Sequence, residues 1–153
     1  MKSVLLAITV FTSTMLLASS GFSASSAFLI VRFYNNTDYT CARAHYAIND
    51  KHDRCTWDEK PPLTVKAHKS GSWRGKQSGL YGPDMSVSFE CGDYYFTVIN
   101  RQNFSFLSGG DQFCSTYHVD KHLNVTNKQF KHAKYGKNPG IAEVTVSLKG
   151  KSS

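Results

Sequence analysis

The sequence predicts an all-β protein, an antiparallel β-sandwich of about 7–9 short strands with two disulfides. Apolar and polar residues alternate along most of the chain after residue 25, which is typical of half-buried strands. Clusters of Gly, Pro, Asn, Asp and Ser separate the alternating runs at short intervals, as turns do. The spacing that predicts amphipathic helices is almost absent.

The first segment does not follow this pattern. Met1-Lys2 precedes the apolar run Val4–Phe11, which continues to Ala18 and ends in small residues. This order is typical of a secretory signal peptide. The alternative is a membrane anchor, but Thr and Ser interrupt the run, and a spanning helix needs about 20 mainly apolar residues.

The cleavage site can follow Gly21, Ala24 or Ala27, since small residues precede each of them. We assign residues 1–24 to the signal peptide and 25–153 to one β-sandwich domain. The mature protein is then secreted and extracellular. Removing Lys2 leaves 17 basic and 11 acidic residues, a net charge of +6. A basic protein favours anionic partners, although such a surplus also serves solubility.

An oxidising compartment means that Cys41, Cys55, Cys91 and Cys114 are expected to form two disulfides. The shortest loops favour Cys41–Cys55 with Cys91–Cys114, each contributing about 3 kcal/mol. The pairing Cys41–Cys91 with Cys55–Cys114 stays open. No Cys-x-x-Cys pair is present, so the sequence offers no zinc motif and predicts no metal or cofactor.

The first half of the mature chain contains four predicted strands. Leu29, Val31 and Phe33 share one face of the first, and a turn at residues 35–38 leads into the second, 39–48. Residues 63–67 alternate after a Pro-Pro pair, and a short strand surrounds Trp73. Three glycines and a proline predict an exposed loop from Gly75 to Pro83.

The second half contains the clearest pattern. In Met85–Cys91, alternate residues are apolar and their neighbours are Ser or Glu, and Gly92-Asp93 then predicts a hairpin turn into Tyr94–Ile99. Weaker strands are expected at 117–122 and 123–125, before a basic, turn-rich segment at 130–139. Ala142 to Leu148 alternates and predicts the last strand.

Three Asn-x-Ser/Thr sequons begin at Asn35, Asn103 and Asn124. In a eukaryotic protein they are glycan acceptors on surface loops, and in a bacterial protein they carry no such meaning.

No strong catalytic motif is present. A small, basic, disulfide-bonded secreted protein could still be a ribonuclease, with a Glu or His base and a His acid beside an Arg. The residues that could fill these roles are His45, His68, His118, His122, His132, Glu59, Glu90, Glu143, Arg32, Arg43, Arg74 and Arg101. Their spacing does not bring them together.

Aromatic residues among basic ones are the better indication of a binding surface, because rings and cations suit a membrane interface, a sugar or single-stranded nucleic acid. The two tryptophans lie in or next to polar segments, which predicts exposure. The candidate ligand-binding residues are Trp57, Trp73, Arg74, Lys76, Tyr81 and Tyr95.

Several features follow one another in a fixed order along the chain, namely an Asn-Asn-Thr turn at 35–37, Pro61-Pro62 with 63–67, a Gly-rich stretch at 71–82, the strand 85–91 and a closing segment at 140–150. In this order the chain resembles the aegerolysin and actinoporin-like class of small β-sandwich proteins. The resemblance implies a β-sandwich that binds membrane lipid. The Trp-rich segment of aegerolysins has no counterpart in 104–114, so no lipid-contact residue is transferred.

The sequence therefore predicts a secreted, non-enzymatic protein that binds a lipid headgroup or a glycan at a target-cell surface, with membrane lysis or toxicity as one outcome. The mechanism would be electrostatic capture followed by docking of aromatic rings. The alternatives are a ribonuclease-like hydrolase and an effector or inhibitor that binds a host protein through a loop such as 75–83. Nucleic acid is the least favoured partner.

Overall fold

The computed structural model describes residues 26–48, 55–78, 81–103, 112–131 and 138–150. These residues form ten strands in two five-stranded sheets, and none of the described residues is helical. The all-β sandwich is confirmed, with one strand more than the upper limit expected. Predictions about residues 1–25, including the signal peptide, fall outside the described residues.

The first sheet has the strand order β3 (Cys55–Glu59), β5 (Ser70–Ser78), β1 (Ser26–Asn35), β10 (Gly140–Leu148) and β9 (Leu123–Lys131). The second has the order β4 (Thr64–Val65), β2 (Cys41–Ile48), β6 (Tyr81–Cys91), β7 (Tyr94–Asn103) and β8 (Gln112–Tyr117). Neighbouring strands are antiparallel except β1 and β10, which run parallel. Bringing the first and last strands together closes the middle of the first sheet.

The predicted alternation is confirmed in β1, β6 and β10. Leu29, Val31 and Phe33 are buried on β1, and the apolar positions of β6 from Met85 to Cys91 are buried as well. The Gly92-Asp93 turn joins β6 to β7, and Gly92 adopts a positive φ of 64°, a conformation that suits glycine. One face of each of these strands therefore forms the core.

The centre of the core is a cluster of four aromatic rings. Phe33 and Trp73 extend from the first sheet, and Phe89 and Phe96 from the second. Phe33 stacks on Phe89 at 4.7 Å between ring centroids, and Trp73 lies 5.9 Å from Phe89. Trp73 is 0% exposed, so its predicted surface position is wrong. Its polar neighbours Ser72 and Arg74 lie on the other face of the strand, as the period of two requires.

The predicted disulfide pairing is also wrong. The disulfide among the described residues joins Cys41 to Cys91, which lie directly opposite each other on β2 and β6. Cys55 is on β3, whose Trp57 contacts β2, whereas Cys114 is on β8 beside β9. These are opposite edges of the sandwich, and Cys55 and Cys114 do not form a disulfide. The described residues therefore contain one disulfide where two were expected, and it is the Cys41–Cys91 bridge of the alternative pairing. The preference for the cysteine pairs with the shortest loops fails, because the sheet brings together two cysteines that are 50 residues apart in the sequence.

Asn35 is a structural residue, and its assignment as a glycan acceptor is wrong for the folded protein. Its side chain is buried, and its amide nitrogen donates hydrogen bonds to the carbonyl oxygens of Tyr39, Val65 and Lys66. Its amide oxygen accepts from the Thr37 backbone N–H at 3.0 Å and from the Thr37 hydroxyl at 2.7 Å. Asn124 is exposed, and the side chain of Asn103 lies outside the described part.

The exposed loop predicted from Gly75 to Pro83 is wrong, because β5 continues to Ser78, β6 begins at Tyr81, and both Gly75 and Pro83 are buried.

Three weaker strand predictions also need correction. In 63–67 only Thr64–Val65 forms a strand, and Leu63 is 71% exposed instead of sharing the buried face of Val65. The strand expected at 117–122 is absent, because β8 ends at Tyr117 and His118 turns the chain with a φ of 50°. The strand expected at 123–125 extends to Lys131 as β9.

Proteolysis of the oxidised protein under non-reducing conditions tests the strand pairing of β2 with β6. We expect mass spectrometry to find a peptide that contains both Cys41 and Cys91 in disulfide linkage, because the two residues are register partners. Reduction before digestion is the control and releases the two halves. A peptide linking Cys41 to Cys55, or Cys91 to Cys114, would contradict the described topology.

Candidate functional site

The outer surface of the first sheet concentrates cations and apolar side chains. Since Leu29, Val31 and Phe33 point inward, the alternate residues of β1 point outward, and register places their neighbours on the same surface. We call this surface the basic face and define it by Phe28, Ile30, Arg32, Tyr34, Ser70, Ser72, Arg74, Lys76, Lys128, Phe130, Lys131 and Glu143.

Three of its cations lie against aromatic rings. The guanidinium of Arg74 lies 5.5 Å from the ring centroid of Phe28, and the ammonium of Lys76 lies 5.8 Å from the same centroid. The guanidinium of Arg32 lies 5.8 Å from the ring centroid of Phe130, whose residue is 60% exposed. Cation–π contacts of this kind hold charge and apolar surface side by side.

Carboxylates neutralise part of this charge. Arg74 forms ion pairs with Asp58 and Glu59 of the edge strand β3, the second at 3.2 Å. Arg32 lies 3.5 Å from Glu143. Lys128 and Lys131 are exposed, and no described carboxylate forms an ion pair with them or with Lys76. The described residues therefore leave a positive surplus on the face.

A shallow cavity of about 370 Å³ opens in the basic face between β1 and β5. Its lining comes from Arg32 and Tyr34 on β1 and from Ser70, Gly71 and Ser72 on β5. Gly71 contributes backbone, because a side chain there would point inward against Pro62 and Val65. The cavity is thus a polar recess with one cationic wall.

The residues predicted for ligand binding do not form one site. Arg74 and Lys76 meet on the basic face, but Trp73 lies in the core. Trp57 is half-buried and contacts the ring of Tyr46 edge-on at 5.7 Å, which closes the gap between β2 and β3. Tyr95 is on the second sheet, where its hydroxyl accepts a hydrogen bond from Thr97 at 3.4 Å. The Tyr81 side chain lies outside the described part.

The sequence interpretation missed Phe28, Phe130 and Arg32 as members of the basic face. A signal for Arg32 was present, because it alternates with the buried residues of β1 and must point outward. Phe130 was assigned to a turn-rich segment, whereas β9 continues through it to Lys131 with a bulge opposite Ile141 and Ala142. A bulge of this kind has no clear sequence signature.

A second cluster lies at the turn between β6 and β7. The rings of Tyr39, Tyr94 and His122 follow one another, with centroid distances of 5.7 and 5.5 Å. The neighbouring Tyr39 side chain raises the pKa of Tyr94, and nearby carboxylates add to this effect. The backbone N–H of His122 donates to Asp120 at 2.8 Å and lowers the pKa of that carboxyl. These contacts stabilise the turn at residues 120–122.

The candidate catalytic residues are dispersed over several elements. His68 pairs with Asp38 at 3.0 Å, and His122 pairs with Asp120 at 2.9 Å in a different turn. The described residues contain no group of three His, Cys, Asp or Glu side chains placed to hold a metal ion. Nor do they include a helix of the length and hydrophobicity that crossing a membrane requires. The ribonuclease hypothesis stays a prediction.

Comparison with known proteins gives a likeness of fold. No protein-family model and no curated protein matches the chain. Among solved structures it is similar to the lipid binding protein Nakanori, with a TM-score of 0.57 and 8% identity over 79% of this chain and 71% of that one. It is also similar to the RahU protein, solved with a TRIS molecule, with a TM-score of 0.57 and 9% identity over 82% and 98% of the two chains.

A third similar structure is IP-1A from Alcaligenes faecalis, with a TM-score of 0.52 and 12% identity over 83% of this chain and 94% of that one. At such identities the likeness concerns the fold alone. The fold is therefore one that a lipid-binding protein also has, in agreement with the β-sandwich that the sequence resemblance implies.

Quenching of tryptophan fluorescence tests the positions of Trp57 and Trp73. We expect a Trp57→Phe variant to emit at short wavelength and to resist quenching by iodide, because the remaining Trp73 is fully buried. The matched variant Trp73→Phe should keep the quenchable emission of Trp57. Iodide quenching of the Trp57→Phe protein to the extent seen in the wild type would show that Trp73 is exposed.

Proposed function

We propose that this protein is a secreted, non-enzymatic binding protein that docks on anionic lipid surfaces through its basic face. The observation that carries the proposal is the alternation of cations with apolar rings on one sheet surface, with three cation–π contacts at its two sides. A membrane interface presents phosphate charge beside acyl chains, so it matches both components of such a surface.

Charge supplies the first step. Lys76, Lys128 and Lys131 extend from β5 and β9, and they accompany a net charge of +7 for the whole chain. Cations near an anionic leaflet each contribute about 1 kcal/mol, and the attraction decays within about 8 Å at physiological salt. Binding should therefore weaken as salt is added.

Apolar contact supplies the second step. Phe130 is the most exposed ring of the face, and Phe28 and Ile30 are partly exposed beside the cations. Aromatic rings favour the depth of the headgroups. Insertion of Phe130 would bring Lys131, the next residue on β9, to the phosphates. This arrangement replaces the docking by Trp73 that the sequence predicted.

One of the structural comparisons supports this proposal. One of the similar structures is described as a lipid binding protein, and it shares the fold with this chain. A glycan ligand and a host protein are the alternatives to a lipid ligand, and lytic activity would be an extension of lipid binding. The vesicle experiment below separates lipid binding from the two alternatives.

Neutralising two lysines of the face should weaken binding to anionic vesicles. For Lys128→Ala/Lys131→Ala we expect roughly thirtyfold weaker binding to vesicles of phosphatidylcholine and phosphatidylglycerol, since each lysine contributes about 1 kcal/mol. Co-sedimentation at low and moderate salt measures the affinity.

The matched control is Lys66→Ala/Lys121→Ala, which removes the same charge from two exposed positions outside the basic face, one after β4 and one between β8 and β9. It should bind nearly as well as the wild type. Equal weakening by both double variants would assign binding to net charge alone. Absence of wild-type binding to any vesicle would contradict the proposed function and favour a glycan or protein ligand.

A further inference from the structure

The cavity between β1 and β5 is a recess in the basic face. It measures about 370 Å³ and is lined by Arg32, Tyr34, Ser70, Gly71 and Ser72. These residues offer a guanidinium, three hydroxyls and backbone at Gly71, while Glu143 is not part of the lining. The chemistry of the recess is that of an anion site.

Among the three described arginines that form ion pairs, Arg32 has the longest contact. Arg74 has two carboxylate partners, and Arg101 holds Asp84 through two nitrogens at 2.7 and 2.9 Å. Arg43 stacks on Tyr46 at 4.1 Å and donates to the carbonyl oxygen of Pro61. Arg32 has one carboxylate at 3.5 Å, longer than the roughly 2.8 Å of a strong charge-assisted hydrogen bond.

The strand register separates Arg32's existing partner from the cavity. Arg32 on β1 is opposite Glu143 of β10 on one side and opposite Ser72 of β5 on the other. The cavity lies on the β5 side of Arg32, and Glu143 lies on the β10 side, so the carboxylate does not occupy the recess. A guanidinium has five N–H donors, and the Glu143 contact uses one nitrogen.

The other polar groups of the recess can donate to the same ligand. Ser70 and Ser72 are exposed, and the Tyr34 hydroxyl donates only a long hydrogen bond of 3.4 Å to Glu143. In the described pairings β3 joins β5 at Arg74, so the stretch from Ser70 to Trp73 pairs with β1 alone. This part of β5 therefore forms the edge of the first sheet beside the recess.

We propose that this recess binds the phosphate monoester of a lipid headgroup. The basic face then discriminates between different anionic headgroups, and not only between anionic and neutral membranes. A monoester has three acceptor oxygens and up to two negative charges, which suit a planar guanidinium with hydroxyl donors around it. A phosphodiester headgroup offers fewer oxygens and less charge. The inference rests on the proposed function, since the basic face brings the recess to the membrane.

The test compares phosphatidic acid with phosphatidylglycerol in phosphatidylcholine vesicles adjusted to the same zeta potential. We expect the wild type to prefer phosphatidic acid about tenfold, the order that one additional charge-assisted hydrogen bond supplies. Ser70→Ala/Ser72→Ala should lose most of this preference, because it removes two of the three hydroxyls of the recess. Arg32→Lys keeps the charge but removes the planar fork, and it should lose the preference too.

The matched control is Ser86→Ala/Ser147→Ala, which removes two partly exposed hydroxyls outside the recess and should keep the preference. Circular dichroism confirms that each variant is folded. Equal wild-type affinity for the two lipids, or retention of the preference in both recess variants, overturns the inference and leaves the proposed function standing. Failure to bind either lipid overturns both.

A calorimetric titration with inorganic phosphate at constant ionic strength distinguishes the source of the phosphate. We expect at most millimolar binding, because the recess is shallow and the membrane supplies the remaining contacts. Binding of inorganic phosphate as tight as that of phosphatidic acid vesicles would show that the site takes soluble phosphate, and the lipid assignment would be wrong.

Discussion

The contact between Phe33 and Trp73 of one sheet and Phe89 and Phe96 of the other is the constraint on which the rest depends. Phe33 stacks on Phe89 at 4.7 Å, and Phe89 lies 5.8 Å from Phe96. Side chains alternate with a period of two, so rings that point inward force their sequence neighbours outward. Arg32, Ser72 and Arg74 lie on the outer surface for this reason. A slip of one residue would exchange the core for the basic face.

Part-buried hydrogen bonds of an asparagine amide hold the second part of the basic face in place. β9 carries Lys128, Phe130 and Lys131 at the edge of the first sheet. Asn127, on its inner side, donates to the carbonyl oxygens of Ile99 at 3.1 Å and Ser115 at 2.8 Å and accepts from Asn100 at 2.7 Å. These bonds tie an edge strand of one sheet to the other sheet. Hydrogen bonds between polar groups inside a sandwich are costly to break, so these bonds fix the position of β9.

Much of the fold could be predicted from the sequence, because alternation and turn chemistry are local. The strands around Leu29, Met85 and Val144 and the Gly92-Asp93 hairpin follow from them. Pairing order is not local, and the cysteine prediction failed for this reason, since only the β2–β6 register places Cys41 opposite Cys91. Trp73 was assigned by its polar neighbours although alternation with Ser72 and Arg74 would have placed it inside. Two residues of the basic face, Arg74 and Lys76, are among the predicted ligand-binding residues, and the sequence could not group them with the others because those come from strands distant in the chain.

Lysine footprinting on vesicles tests most directly the claim that the basic face is the membrane-contacting surface. The protein is acetylated with and without saturating anionic vesicles, and mass spectrometry measures the reactivity of each lysine. We predict that Lys76, Lys128 and Lys131 become protected, while Lys60, Lys66 and Lys121 keep their reactivity because they lie outside the face. Protection of the second set alone, or equal protection of all six, would contradict the account.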